Sequence, residues 1–314
     1  MHAPRTAAVR KKHEPRRKGV QPAADGDRLL LDRFSSADLS TWERLSEQNE
    51  AYYVGLYYHL AKLRRLHHED LVAALRTAEP RTIELKRWTR IVEYRYSSAS
   101  LSAAGSLAVG GRFNIGRDLD PRVFPPFPAL YIAEDFETAY CEKFGASSES
   151  SGTAAFNGQE FALRHPGSFT SVELVGEVLQ VFDLTATRSL GAFTKVIRSF
   201  AISADLKALA KTLGIKPPWL ATTPGVLHRT LLAPHWRGMP AQFEIPANSQ
   251  AFGRLLIEAG FEGVLYPSSK GSGLCIAVFP ESLAAGESYI ELADESPSGV
   301  RVTRMDSETW RSLV

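Results

Sequence analysis

The sequence predicts a compact α+β domain of mixed sheet and short helices, preceded by a helical N-terminal region. Residues 36–78 carry apolar side chains at helical spacing, and Glu79-Pro80 ends that stretch. After residue 82, short β-type runs bounded by Gly, Ser and Pro clusters are mixed with isolated helical segments. Because strands and helices do not alternate regularly, we expect a mixed sheet and not a βαβ array.

The elements define four predicted regions: a disordered basic tail (1–27), a helical region (28–80), the main domain (81–290) and a C-terminal extension (291–314). Strands are predicted at 88–96, 129–132, 171–184, 263–266 and 274–279. Helices are predicted at 136–144, 193–213 and 250–259, the last ended by Gly260 at the C′ position. The proline-rich segment 186–246 is typical of an insertion or lid.

Composition limits the class of protein. A chain of 314 residues that is 44% hydrophobic can bury a large core. No apolar run is long enough to span a bilayer, and no apolar signal segment follows the basic start, so we expect a cytoplasmic protein with no membrane partner. Cys141 and Cys275 are expected to be reduced thiols. His59, His67 and His68 lack a completing Cys, Asp or Glu set, so no metal site is predicted.

The net charge of +2 is unevenly distributed. Residues 1–28 contain eight Lys or Arg and three acidic residues, which gives this segment a net charge of +5. Such a tail can bind nucleic acid, but no aromatic residues are interleaved with the charges. We therefore favour a solvated leader and do not expect a nucleic-acid partner.

Residues 97–116 contain a candidate ligand-binding turn. Gly110 and Gly111 permit a close approach of the backbone to a ligand, and Arg112 offers a planar set of donors for phosphate or carboxylate. Asn114 and Gly116 continue the tight polar turn. Taken alone, such a turn is equally typical of a purely structural role.

Two further residues are candidates for chemistry. Glu142 lies at the margin of the apolar face of the helix predicted at 136–144, where a half-buried carboxylate can act on a cationic or hydroxylated substrate. A solvated helix glutamate is the alternative. Ser268 follows a strand in a Tyr-Pro-Ser turn and can donate to a phosphate or ribose oxygen, or is an ordinary turn serine. Hydrolase-elbow, Walker and dinucleotide glycine motifs are absent from the sequence.

In combination, these motifs resemble the RES family, which is named for an Arg, a Glu and a Ser in this order. The resemblance covers about residues 85–285 and rests on Arg90-Ile, Gly-Gly-Arg112-Phe-Asn, Leu-Tyr131-Ile-Ala, Glu142 and Tyr-Pro-Ser268. RES proteins are commonly toxins of bacterial toxin–antitoxin pairs that degrade NAD⁺. The resemblance implies an ADP-ribosyltransferase-like fold, NAD⁺ as substrate with no cofactor, and a separately encoded antitoxin. Whether the chain forms a homo-oligomer stays open.

The resemblance also implies a binding role for the turn that contains Gly110 and Gly111, called the glycine turn below. Arg112 would hold the NAD⁺ pyrophosphate, and Gly111 and Asn114 would belong to the same binding turn. Arg90 would provide a second cation, although Arg95 competes for that role.

The remaining residues would act on the nicotinamide ribose. Tyr131 would pack against the nicotinamide or its ribose, and Ser268 would complete the pocket. Glu142 would orient the ribose hydroxyls and stabilise oxocarbenium-like charge as nicotinamide leaves. One departure is that family members often carry Asn after the Pro-Ser turn, where this chain has Gly273 and Leu274.

Three functions remain in competition. The first is cleavage of the nicotinamide–ribose bond with water or phosphate as acceptor, which would deplete cellular NAD⁺. The second is ADP-ribosylation of a specific protein from the same NAD⁺ site. The third is a non-enzymatic protein that binds nucleic acid through the basic tail.

Overall fold

A computed structural model describes residues 36–145, 168–296 and 299–314. The predicted basic tail and residues 28–35 of the predicted helical region lie outside the described residues. The chain divides into two units between Asn49 and Glu50. Of the first unit, only residues 36–49 are described, and they form the first part of a helix.

Two helices confirm the prediction for residues 36–78. Helix α1 covers Ser36–Leu66 and helix α2 covers His68–Arg76. In α2, Leu71 and Leu75 are fully buried one turn apart, which places the apolar face of this helix in the main core. In the described ranges, no helix combines the length and apolar character that crossing a membrane requires.

The strands form one mixed sheet, which confirms the predicted α+β class. They are β1 (Arg81–Glu93), β2 (Leu130–Ala133), β3 (Phe169–Asp183), β4 (Gly263–Pro267), β5 (Leu274–Val278), β6 (Tyr289–Leu292) and β7 (Arg304–Met305). Their order is β1-β2-β5-β4-β3-β6-β7, and β1 also pairs with β3. The first five strands in this order therefore close into a ring. Among the strands of the described residues, β3 and β4 pair in parallel and the other pairs are antiparallel.

The first strand of the sheet and its C-terminal strands differ from the sequence prediction. Strand β1 begins at Arg81, seven residues before the predicted start, because charged residues on its exposed face obscure the pattern. A register shift against β3 between Leu85 and Trp88 interrupts it further, and Arg87 adopts a φ of 59° there. At the other end, the boundary predicted at residue 290 falls inside β6, and Met305 is fully buried. Residues after 290 thus complete the sheet.

The remaining helices are short. They are α3 (Ala104–Ala108), α4 (Phe136–Phe144), α5 (Gly191–Ile197), α6 (Ala204–Thr212), α7 (Pro224–Leu231), α8 (Gly238–Phe243) and α9 (Asn248–Glu258). Helix α4 has the predicted bounds, whereas the single helix predicted at 193–213 is divided into α5 and α6. Gly260 follows α9 with a φ of 93°, as its predicted C′ position requires. Short 3-10 helices cover Tyr94–Ala99, Arg188–Leu190, Pro280–Ala285 and Trp310–Leu313.

Several residues of the segment 186–246 belong to the core. Leu190 and Leu231 are buried in the main hydrophobic cluster, and the ring of Phe193 lies 5.4 Å from that of Phe252 in α9. A lid that opens would expose these side chains to water, which apolar burial opposes. The expectation of a lid is therefore wrong for these parts of the segment.

Candidate functional site

Asn114 organises the glycine turn from within. Its side chain is fully buried, and Oδ1 accepts hydrogen bonds from the Gly111 N–H at 2.8 Å and the Tyr131 O–H at 2.9 Å. Its Nδ2 donates to the carbonyls of Ser106 at 2.8 Å and Phe127 at 3.0 Å. Both donors and both acceptor positions of the Asn114 amide are thus occupied by hydrogen bonds to other protein groups. Asn114 shapes the turn, and its side chain does not face a ligand.

Tyr131 and Gly111 fit closely against each other. The Tyr131 hydroxyl also accepts a hydrogen bond from the Phe113 N–H at 2.9 Å. A Cβ added to Gly111 would lie 2.3 Å from this hydroxyl oxygen, so only glycine permits the approach. Burial raises the pKa of the Tyr131 hydroxyl, which stays protonated as the donor to the turn. The proposed contact between Tyr131 and nicotinamide stays a prediction.

Arg112 carries a buried charge with unused donors. The residue is 6% exposed, and its Nη1 and Nη2 groups donate to the Ala233 carbonyl at 2.9 Å and the Ser269 hydroxyl at 2.8 Å. No other hydrogen bond joins its guanidinium to the described residues, so three of its five N–H groups remain available. No carboxylate in the described ranges forms an ion pair with it. A buried guanidinium in this state is suited to an anionic ligand.

Glu142 lies in the last turn of α4 and is held by one carboxylate oxygen. Its Oε1 accepts hydrogen bonds from the Ser268 hydroxyl at 2.6 Å and the Ser269 N–H at 2.9 Å. Helix α4 is fixed at its start by Asp135, whose carboxylate accepts from the Thr138 N–H at 2.7 Å. No donor among the described residues contacts Oε2. The half-buried carboxylate is therefore oriented with one oxygen free for a ligand.

The turn that holds Glu142 rests directly on α4. The Ser268 hydroxyl accepts from the Lys270 and Gly271 N–H groups at 3.1 and 2.8 Å, which folds the link between β4 and β5. The Gly273 N–H donates to Thr138 Oγ1 at 3.1 Å, and a Cβ on Gly273 would lie 2.5 Å from that oxygen. Close packing on the helix thus explains glycine at a position near which family members often carry Asn.

Ser269 connects the two charged groups. Its hydroxyl accepts from Arg112, and its main-chain N–H donates to Glu142. A cation and a carboxylate are thereby held on either side of one exposed residue, with no direct ion pair between them. Ser269 was not predicted, although it directly follows Ser268, because its N–H contact is independent of residue type and the partner of its hydroxyl is set by the fold.

Tyr266 and Cys275 form the buried floor beside Glu142. Burial, followed by the charge of Glu142, raises the pKa of the Cys275 thiol, and burial raises that of Tyr266. Tyr266 is 4% exposed, its ring lies 4.9 Å from that of Phe113, and no described residue forms a hydrogen bond with its hydroxyl. The Tyr-Pro-Ser motif contains Tyr266, but this residue was not among the predicted site residues.

Arg90 and Arg95 were the two candidates for a second cation in the pocket, and in the structure both bind protein groups. Arg90 donates to the carbonyls of Ser100, Ser102 and Tyr131 at 2.8 to 2.9 Å, and burial lowers its pKa to about 10. Arg95 is exposed and pairs with Glu93 at 2.7 Å.

Neither arginine contacts Glu142. Lys270 lies beside that residue, and its ammonium group donates to the Glu142 main-chain carbonyl at 3.4 Å. The geometry gives Arg90 a positioning role behind β2, and its role as a pocket cation stays a prediction.

Comparisons with known proteins identify the family. A family model described as the RES domain matches residues 87–297. No curated protein matches the sequence. Among solved structures, a chain in the crystal structure of the M. tuberculosis MbcT–MbcA toxin–antitoxin complex is 18% identical, with 78% of this chain and 97% of that chain covered and a TM-score of 0.39. The family match spans most of the sequence and includes Arg112, Glu142 and Ser268, so the chain belongs to the RES domain family.

Proposed function

We propose that this protein is a RES-type toxin that cleaves the nicotinamide–ribose bond of NAD⁺. The observation that carries the proposal is the placement of Arg112 and Glu142 on either side of Ser269. NAD⁺ presents an anionic pyrophosphate close to a ribose that becomes positively charged as nicotinamide leaves. A buried cation beside a half-free carboxylate matches this distribution of charge.

Arg112 would bind the pyrophosphate. The Ala233 carbonyl and the Ser269 hydroxyl already fix the guanidinium plane, so little side-chain freedom is lost when a ligand binds. The remaining N–H groups can bind phosphate oxygens in the paired geometry that arginine favours. Because the site is buried, these charge-assisted hydrogen bonds are stronger than they would be in water.

Glu142 would act on the ribose. In the bond-breaking step, the bond between ribose C1′ and the nicotinamide nitrogen breaks, and its electron pair leaves with neutral nicotinamide. The positive charge on the ribose is then stabilised by the nearby carboxylate, whose free Oε2 can also accept a hydrogen bond from a ribose hydroxyl. Water or inorganic phosphate adds to C1′ and gives up a proton, which yields ADP-ribose or its phosphate.

The cellular setting forms part of the proposal. Loss of NAD⁺ in the cytoplasm would arrest growth, and a separately encoded antitoxin would cover the Arg112–Glu142 site. ADP-ribosylation of a protein would use the same site with a different acceptor. The nucleic-acid hypothesis depends on residues 1–28, which lie outside the described residues.

The direct test is incubation of the purified chain with NAD⁺, with and without phosphate, after mass spectrometry has excluded a bound partner. We expect free nicotinamide together with ADP-ribose or its phosphate. Glu142→Gln keeps the size of the side chain and removes its charge, so we expect a fall in turnover of about 100-fold or more. Glu287→Gln, an exposed glutamate, is the matched control.

Two results would contradict the proposal. If wild-type protein free of a partner leaves NAD⁺ intact under both conditions, the chain does not cleave it. If mass spectrometry of cell proteins finds ADP-ribose attached to one target and little free product, the protein is a transferase.

A further inference from the structure

We propose that a cavity beside Arg112 binds the adenosine monophosphate end of the dinucleotide, an inference that rests on the proposed function. The cavity has a volume of about 650 Å³ and is formed by the segment 219–249. This volume lies in the range typical of small-molecule sites. The residues that define its chemistry are Trp219, Arg229, His235, Trp236, Asn248 and Ser249.

Hydrogen bonds connect this cavity to the site already described. Ala233 lines the cavity, and its carbonyl accepts from Arg112 Nη1 at 2.9 Å. The other terminal nitrogen of the same guanidinium reaches Ser269, which in turn contacts Glu142. A pyrophosphate bound at Arg112 would therefore lie between Glu142 and the cavity. With the nicotinamide ribose at Glu142, the second nucleoside would enter the cavity.

One wall of the cavity is suited to a phosphate group. Helix α9 begins there, and its N-cap residue is Ala247, which has no side-chain oxygen to accept from the first N–H groups. Ser249 in the first turn is 1% exposed, and its hydroxyl has no hydrogen-bond partner among the described residues. A buried hydroxyl without a partner is unusual in a folded protein. A phosphate oxygen at this wall would accept from the N–H groups at the start of α9, and from the Ser249 hydroxyl once rotation of that side chain turns it toward the cavity.

Two tryptophans that line the cavity are suited to a flat, apolar ring. Trp219 is 65% exposed, which is unusual for so large an apolar side chain, and Trp236 is half-buried. Indole faces bind purine rings by stacking. Arg229 is exposed and forms no ion pair within the described part of the chain, and no acidic side chain lines the cavity. A purine with an attached phosphate matches both parts of the cavity.

The experiment is a titration of the purified full chain with AMP, followed by calorimetry and tryptophan fluorescence. Nicotinamide mononucleotide and inorganic phosphate are titrated in parallel. We expect AMP to bind and to quench fluorescence. Trp219→Ala should weaken AMP binding at least tenfold and raise the KM for NAD⁺ similarly, with kcat changed less than threefold. Tyr94→Ala, which removes an exposed aromatic side chain outside the cavity, should change neither quantity.

The substitution Ser249→Ala tests whether the Ser249 hydroxyl contacts the ligand or stabilises the fold. Because the hydroxyl has no hydrogen-bond partner among the described residues, its removal should leave the thermal unfolding temperature unchanged or raised. AMP affinity should nevertheless fall several-fold. A variant that loses stability and keeps its AMP affinity would show a structural role and contradict the inference.

Other outcomes separate this inference from the proposed function. If AMP does not bind wild-type protein at millimolar concentration, the cavity is not the adenosine site, whether or not NAD⁺ is cleaved. If phosphate alone binds as tightly as AMP, the adenosine assignment is wrong. If AMP binds as expected while NAD⁺ stays intact, the proposed reaction fails and the nucleotide site stands.

Discussion

Substitution of Tyr131 by Phe tests whether its hydroxyl supports the glycine turn or faces a ligand. The change keeps the ring and creates no large cavity, but it removes two hydrogen bonds of 2.9 Å each. Asn114 Oδ1 still accepts from Gly111, whereas the N–H of fully buried Phe113 loses its acceptor. An unsatisfied buried N–H costs about 1–3 kcal/mol, and the second lost bond adds about 1 kcal/mol. We therefore expect a loss of about 2–4 kcal/mol in the free energy of unfolding.

Urea denaturation followed by tryptophan fluorescence measures this loss. Tyr58→Phe is the matched control, because Tyr58 is 49% exposed and its substitution should change the free energy of unfolding by less than about 0.5 kcal/mol. If Tyr131→Phe is as stable as the control, the hydroxyl does not hold the turn. A selective rise in the KM for NAD⁺ would then show that it contacts the substrate.

Three further predictions concern stability and reactivity. Gly111→Ala should destabilise the protein by about 2 kcal/mol or more because its Cβ meets a tyrosine hydroxyl, whereas Gly105→Ala, with open space around the Cβ, should be neutral or slightly stabilising in thermal unfolding. Arg90→Lys should cost about 2–4 kcal/mol in urea denaturation because carbonyls lose donors, and an equal effect from exposed Arg95→Lys would contradict this. Burial raises the pKa of the Cys275 thiol above 9.0, so its contribution to stability is complete below pH 9 and declines as the pH rises further. Cys275→Ala should flatten this alkaline decline in unfolding measurements, and an unchanged pH profile would refute the assignment.

Local sequence patterns predicted the elements whose signals are local. Helix α4 was found with its observed bounds because Asp135 caps its start and apolar spacing follows. Gly260 marked the end of α9 for a similar reason. The closure of the sheet by pairing of β1 with β3 could not be predicted, because local sequence patterns do not specify which strands distant in sequence will pair. The short strand β7 was missed because two residues carry no periodicity.

The site was predictable where the RES motif residues supply its side chains, whereas Tyr266 and Ser269 were not predicted. The resemblance placed Arg112, Glu142 and Ser268 in one pocket, and the structure brings all three to the same turn. The contacts made through main-chain atoms were missed, including the Ser269 N–H and the Ala233 carbonyl. The role of Asn114 also differs from the expectation, since its complete internal hydrogen bonding is visible only in three dimensions.

The hydrogen bond between Ser268 and Glu142 spans 126 positions in the sequence, which has a consequence for synthesis. A ribosome that adds about 5–20 residues per second needs roughly 6–25 s to proceed from the carboxylate to the serine that orients it. Throughout that interval the nascent chain contains Arg112 and Glu142 but not the turn that holds them. The complete arrangement forms only after β4 and β5 have emerged, so a protein that binds the new chain early would meet it before the site is complete.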